Sequence, residues 1–190
     1  MSPDGQAHHY AGAPRAFHWG MAALILVALA IGVWASTLPP GTSPRRELLD
    51  LHKSIGMTVL VLLPLRVLCR WIAGAPGFRV RPSRLAGAAA RAAHLCLYAL
   101  MLLMPLSGYV DSGAGGYALP WFGLFSWPRL VPIDKPLSHL GGEIHLWGAW
   151  AIGLLLALHF LAVAWHALVR RDEVLARMWP GRRARGAQSI

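Results

Sequence analysis

Residues Ala16 to Leu38 form a run of 23 without one charged side chain. As an α-helix this run is about 35 Å long, enough to cross a bilayer core of roughly 30 Å. Two further runs behave the same way, Ala92 to Val110 with 19 residues and Ile144 to Val169 with 26. A fourth, Leu48 to Ala73, is weaker. Its uncharged centre, Ser54 to Leu65, has 12 residues, with Asp50, His52 and Lys53 at one end and Arg66 and Arg70 at the other. Basic side chains near a helix end can extend to the interface, so this segment also counts as a span. The expectation is an all-α, integral-membrane four-helix bundle. A cleaved secretory signal is the competing reading of the first run, but its length and the three spans that follow favour an uncleaved helix.

Composition agrees. Charged residues are 14% of the chain, well below the roughly 25% of a soluble domain. The net charge of +10 calls for an anionic partner, and its distribution says which. Arg15, the end of the second span from Arg66 onward with its connector to the third, and the residues after the fourth span carry thirteen Arg; the opposite side carries five Arg and Lys, namely Arg45, Arg46, Lys53, Arg129 and Lys135. The positive-inside rule then puts both termini in the cytoplasm. Trp19, Trp34, Trp71, Trp147 and Trp165 near the proposed helix ends suit an aromatic belt. The partner of the basic excess is membrane lipid, not nucleic acid. Residues 1–14 read as a disordered tail, 15–180 as the helical domain and 181–190 as a basic tail. The one long loop, Tyr109 to Glu143, is rich in Gly, Pro and aromatic residues and is expected to fold onto the outer membrane face.

Six of the nine histidines, His18, His52, His94, His145, His159 and His166, lie in or beside the spans, where ionisable residues are costly and mark function. Zinc or copper would need a tighter group, and few carboxylates accompany them. Haem needs two axial imidazoles from opposite sides. With no C-x-x-C-H in the chain, covalent c-type attachment is not encoded. His145 and His159 are 14 residues apart, within about 40° of whole turns and roughly 21 Å apart in depth. They leave one helix face at two levels, as two stacked haems would require. His52 lies level with His145 on the outer side; His18 begins the first span on the inner side, toward which His159 points. Gly56 and Gly148 are the small residues expected beside the macrocycle.

In this order and spacing, Phe17-His18-Trp19, Leu51-His52-Lys53-Ser54-Ile55-Gly56, His94-Leu95-Cys96-Leu97-Tyr98, Met104-Pro105-Leu106-Ser107-Gly108, Pro120-Trp121-Phe122-Gly123, the His145/His159 pair and Ala176-Arg177-Met178-Trp179-Pro180 resemble the bacterial cytochrome b561 family. The resemblance covers roughly residues 15 to 180. It implies two non-covalent haems b with axial ligands at His18, His52, His145 and His159, and electron exchange with membrane quinones, ubiquinone foremost, in the bacterial inner membrane.

Axial rise alone would set His18 level with His166 rather than His159. But His145 and His166 are about 31 Å apart, the full core thickness, too far for efficient exchange between haems. Spacing and resemblance together select His18 with His159 for the inner haem, and His52 with His145 for the outer. His94, His166, Arg66, Arg70 and Lys53 are candidates for supporting roles: quinone contact for the two histidines, propionate pairing for the basic groups. The function expected is a quinone-linked electron carrier or oxidoreductase, with superoxide or a redox partner protein as the outer reactant. Its rivals are a membrane-anchor cytochrome b subunit of a hydrogenase or formate dehydrogenase and, from another class, a haem-free transporter or metal permease.

Overall fold

The computed structural model describes residues 12–74 and 83–179. Four long helices account for most of them: α1 Gly12–Thr37, α2 Ser43–Ala73, α3 Arg84–Ala114 and α4 Lys135–Trp165, the last continuing as a π-helical turn, His166–Arg170. All four are long and apolar enough to cross a membrane. Four spans put the two ends of the described chain on the same side.

Each helix is longer than the uncharged run that announced it, because polar residues complete its ends. Asp134 accepts the Leu137 N–H at 2.7 Å and, with Pro136 following, starts α4 nine residues before Ile144. Ser83 caps α3 by accepting from the Ala86 N–H, and Pro44 opens α2. These are the residue types that satisfy or avoid the orphan donors of a first turn. At the chain start, α1 begins at Gly12 and Pro14 is buried, so residues 12–14 belong to the bundle. The rest of the expected N-terminal tail, the expected C-terminal tail and most of the connector between α2 and α3 lie outside the described residues.

The closest packing is within two hairpins, α1 against α2 and α3 against α4, which meet chiefly through α2 and α3. Met21, Val59, Leu63 and Met101 form the buried core, with Leu24, Ile25, Leu62 and Tyr98 against it. Outside it, large apolar side chains face outward all along the helices; Trp71 is 81% exposed and Leu154 63%. In water such a surface would drive aggregation. Against lipid tails it costs nothing, and helix association rests on packing and polar contacts instead.

The loop expected on the outer side is shorter than the charge-free runs suggest, spanning residues 115–134 between α3 and α4. It contains a short antiparallel ribbon, β1 Pro120–Trp121 with β2 Phe125–Ser126, turning at Phe122 and Gly123. The ribbon is pinned to α2. Ser54 Oγ lies 3.0 Å from the Pro120 carbonyl and accepts the Phe122 N–H at 3.0 Å; Trp121 Nε1 donates to Thr58 Oγ1; Lys53 Nζ donates to the Ala118 carbonyl at 3.1 Å. The loop therefore folds onto the outer end of the helix that carries His52. At the opposite end the residues after the π turn fold under α1, where Trp19 Nε1 donates to the Met178 carbonyl at 2.8 Å and Arg15 to that of Trp179 at 3.2 Å.

Candidate functional site

Two groups of imidazoles occupy the bundle at two depths. In the outer group, His52 from α2 and His145 from α4 meet edge to face, ring centroids 5.8 Å apart and planes at 77°. Nδ1 of His52 lies 2.9 Å from the Ala28 carbonyl, and Nδ1 of His145 lies 2.9 Å from the Met104 carbonyl. A carbonyl only accepts, so each Nδ1 carries the ring proton. That leaves each Nε2 as a free lone pair, the tautomer a metal-binding imidazole needs. Ser107 Oγ stands 3.2 Å from His145 Nδ1 and itself donates to the Met104 carbonyl at 3.0 Å.

The inner group is built differently. His94 from α3 and His159 from α4 meet at 5.9 Å between centroids. His18 from α1 lies within electrostatic range of Arg66, His159, His94 and Arg70. Arg66 donates to His18 Nδ1 at 3.1 Å, to the Phe17 carbonyl at 3.2 Å and to the Tyr98 hydroxyl at 3.3 Å. One ring nitrogen of His94 is bonded to the Ala90 carbonyl, a turn back in its own helix. So the structure gathers His18, His94, His159, Arg66 and Arg70 at the inner level, and the approach of His94 to His159 is the contact the sequence did not reveal.

Other expectations fall differently. His166 stands apart from both groups, its Nδ1 2.5 Å from the Asp172 carboxylate. Lys53 reaches the loop carbonyl of Ala118 and Asp50, so its visible work is holding the loop. A side chain at Gly56 would meet nothing within 4 Å, as the space beside a ligand helix requires, whereas one at Gly148 would stand 2.6 Å from Met104 Sδ. Gly148 thus lets α4 pack closely on Met104 of α3. Cys69 and Cys96 are free thiols. Among the described residues no three His, Cys, Asp or Glu side chains gather as a metal cage.

Against this geometry stand the comparisons with known proteins. Residues 9–181 match the family of prokaryotic cytochrome b561. The chain belongs to that family. It is 33% identical over 178 residues to cytochrome b561 homolog 2 of Escherichia coli (strain K12), covering 94% of this chain and 95% of the relative. It is 28% identical over 169 residues to a Yersinia pestis protein named "Probable superoxide oxidase CybB", covering 87% and 93%. Cytochrome b561 homolog 1 of Escherichia coli (strain K12) is 27% identical over 168 residues, covering 87% and 94%. As a member of the cytochrome b561 family, the chain is a haem-binding electron-transport protein of bacterial membranes with four transmembrane helices.

The outer group fits a bound haem. The two rings come from facing helices with centroids 5.8 Å apart, and each has its Nδ1 on a backbone carbonyl and its Nε2 lone pair unused, which is the donor set that would hold haem iron.

Proposed function

We propose that this cytochrome b561 carries two haems b and passes single electrons between them across the bacterial inner membrane. His52 and His145 hold the outer one, His18 and His159 the inner one, and ubiquinone is the diffusible partner. The observation that carries this reading is the outer pair: two imidazoles from two hairpins, each with its proton turned to a backbone carbonyl and its second nitrogen free. When bound, the group supplies one-electron exchange at iron. His52 with His145 and His18 with His159 would hold the iron through two imidazoles each, an arrangement that would disfavour oxygen binding and favour electron transfer. Its α1–α2 and α3–α4 hairpins shield the sites from water. His159 is supported over His166 by lying within electrostatic range of His18 and by the engagement of His166 with Asp172.

On the outer side we propose superoxide as the reactant, a reading favoured by the name of the Yersinia pestis relative. The arginine distribution supports an orientation with both termini in the cytoplasm.

The test is extraction with acid acetone of protein expressed with ample haem. Two haems b per chain are expected, both released because no thioether links them; one haem or none ends the paired-site reading. Reporter fusions test the orientation separately: cytoplasmic behaviour is expected after residue 180 and periplasmic behaviour near Gly115. The opposite pattern would exchange the compartments that the two sites face.

A further inference from the structure

The two outer histidines sit in matching cradles. His52 donates to the Ala28 carbonyl on α1, and its ring lies against Gly32, four residues on. A Cβ at Gly32 would stand 3.1 Å from Cε1 and 3.3 Å from Nδ1. His145 donates to the Met104 carbonyl on α3, and its ring lies against Gly108, again four residues on. A Cβ there would stand 3.1 Å from both Cε1 and Nδ1. Carbonyl at one position, glycine four later, imidazole from the next helix: the arrangement occurs once in each hairpin. No repeat in the sequence announces it, because the match lies in the backbone.

The physical reason is local. A helical carbonyl already accepts the N–H four residues ahead and keeps a second lone pair, which at Met104 the ring of His145 shares with Ser107 Oγ. Side chains tilt toward the helix N-terminus, so the Cβ at that fourth residue stands beside the carbonyl. Glycine removes it, and a ring from the neighbouring helix can lie flat enough to reach the oxygen.

Resting on the reading that His52 and His145 share one haem, we infer that Gly32 and Gly108 are positioning residues for the outer site: by uncovering the carbonyls of Ala28 and Met104 they fix both Nδ1 protons and leave both Nε2 lone pairs for the metal. Alanine at either position forces the ring or the helix to give by a few tenths of an ångström. The imidazole–iron bond is then strained while the inner site is untouched.

The experiment uses the full-length, haem-loaded protein and its variants Gly32→Ala, Gly108→Ala, His52→Ala and His145→Ala. For each glycine variant we expect about tenfold weaker retention of the outer haem against a haem scavenger, the usual scale for loss of a group that orients a metal ligand. We also expect new carbon monoxide binding by the reduced outer haem and an unchanged inner spectrum. Wild-type retention and no carbon monoxide binding in both glycine variants would overturn the inference, and the ligand reading would survive if His52→Ala and His145→Ala still lose the outer component. If those two histidine variants keep both components, the ligand reading fails and the inference with it. Should the glycine variants not accumulate, nitrogen-15 spectra of reduced wild-type protein decide. Hydrogen-bonded, slowly exchanging Nδ1 protons on His52 and His145 support the inference, and their absence overturns it.

Discussion

The outer and inner histidine groups reach the same kind of juxtaposition by different means. Outside, backbone does the work: carbonyls of α1 and α3 take the ring protons of His52 and His145, and a folded loop is pinned to α2 beside them. Inside, side chains do it. Arg66 donates to His18 Nδ1, and a third histidine, His94, approaches His159. A backbone carbonyl admits one ring tautomer and holds one position. An arginine on a long side chain can swing away, and while it donates to Nδ1 it leaves the ring proton of His18 on Nε2. The inner site as proposed therefore requires Arg66 to release His18 when the metal is held, whereas the outer site requires no such change.

The largest test of that contrast removes whole ligands. His52→Ala and His145→Ala should each abolish the same low-temperature absorption component and leave the other. His18→Ala and His159→Ala should abolish the second component. His94→Ala and His166→Ala should keep two low-spin haems, with potentials shifted at most, since groups beyond the ligands tune a metal without holding it. Redox titration of membranes, with protein levels checked by blot, separates the outcomes. If His94→Ala loses the inner component and His18→Ala keeps it, the 5.9 Å approach of His94 to His159 marks the true pair and His18 becomes the supporting group.

Much of this was legible before any coordinates. The 14-residue spacing of His145 and His159 fixes one helix face and two depths, and His52 falls at the outer level by position alone. The phase of α3 against α4 is not encoded in any such count, so the approach of His94 stayed hidden. Glycines were legible as residues but not as roles. Gly32 and Gly108 look like the small residues of any membrane helix, and the close approach of Met104 to Gly148 is likewise invisible in the sequence. The loop was overestimated because an uncharged run ends at Asp111 while its helix continues to Ala114; a charged residue ends a hydrophobic stretch without ending a helix.

A smaller effect is expected from loosening the outer loop. Ser54, 2% exposed, accepts the Phe122 N–H. Ser54→Ala leaves the Phe122 N–H without that acceptor, at a cost of about 1–3 kcal/mol. The outer haem signal should then be lost at lower temperature than in wild type, followed in detergent by absorption, while the inner signal holds. Equal loss of both would mean that the loop braces the bundle as a whole and not the outer site.

The smallest effect lies at the inner face, in the turn that closes the chain under α1. Asp172 is partly exposed, with its carboxylate 2.5 Å from His166 Nδ1 and its Oδ1 accepting the Val174 N–H at 3.1 Å. Partial burial works against its charged form, but the bonds from His166 and Val174 and the charge of Arg170 outweigh it and hold the carboxyl below its ordinary value. The sign follows. A carboxyl depressed in the folded state contributes stability that is complete above its unfolded value and is lost as pH falls through the lower folded one. Tryptophan fluorescence reads this turn, because Trp19 packs edge to face on Trp179 at 6.0 Å. On acidification from neutral pH, the wild-type signal should change in the range where a depressed carboxylate titrates. Asp172→Asn should remove that acid limb and start from a looser turn at neutral pH. Neither site should lose haem in the variant, because the bonds Asp172 makes go to His166 and Val174, not to a proposed ligand. An acid limb that persists unchanged in Asp172→Asn would assign it to another group and leave the His166–Asp172 contact without a part in holding the inner face.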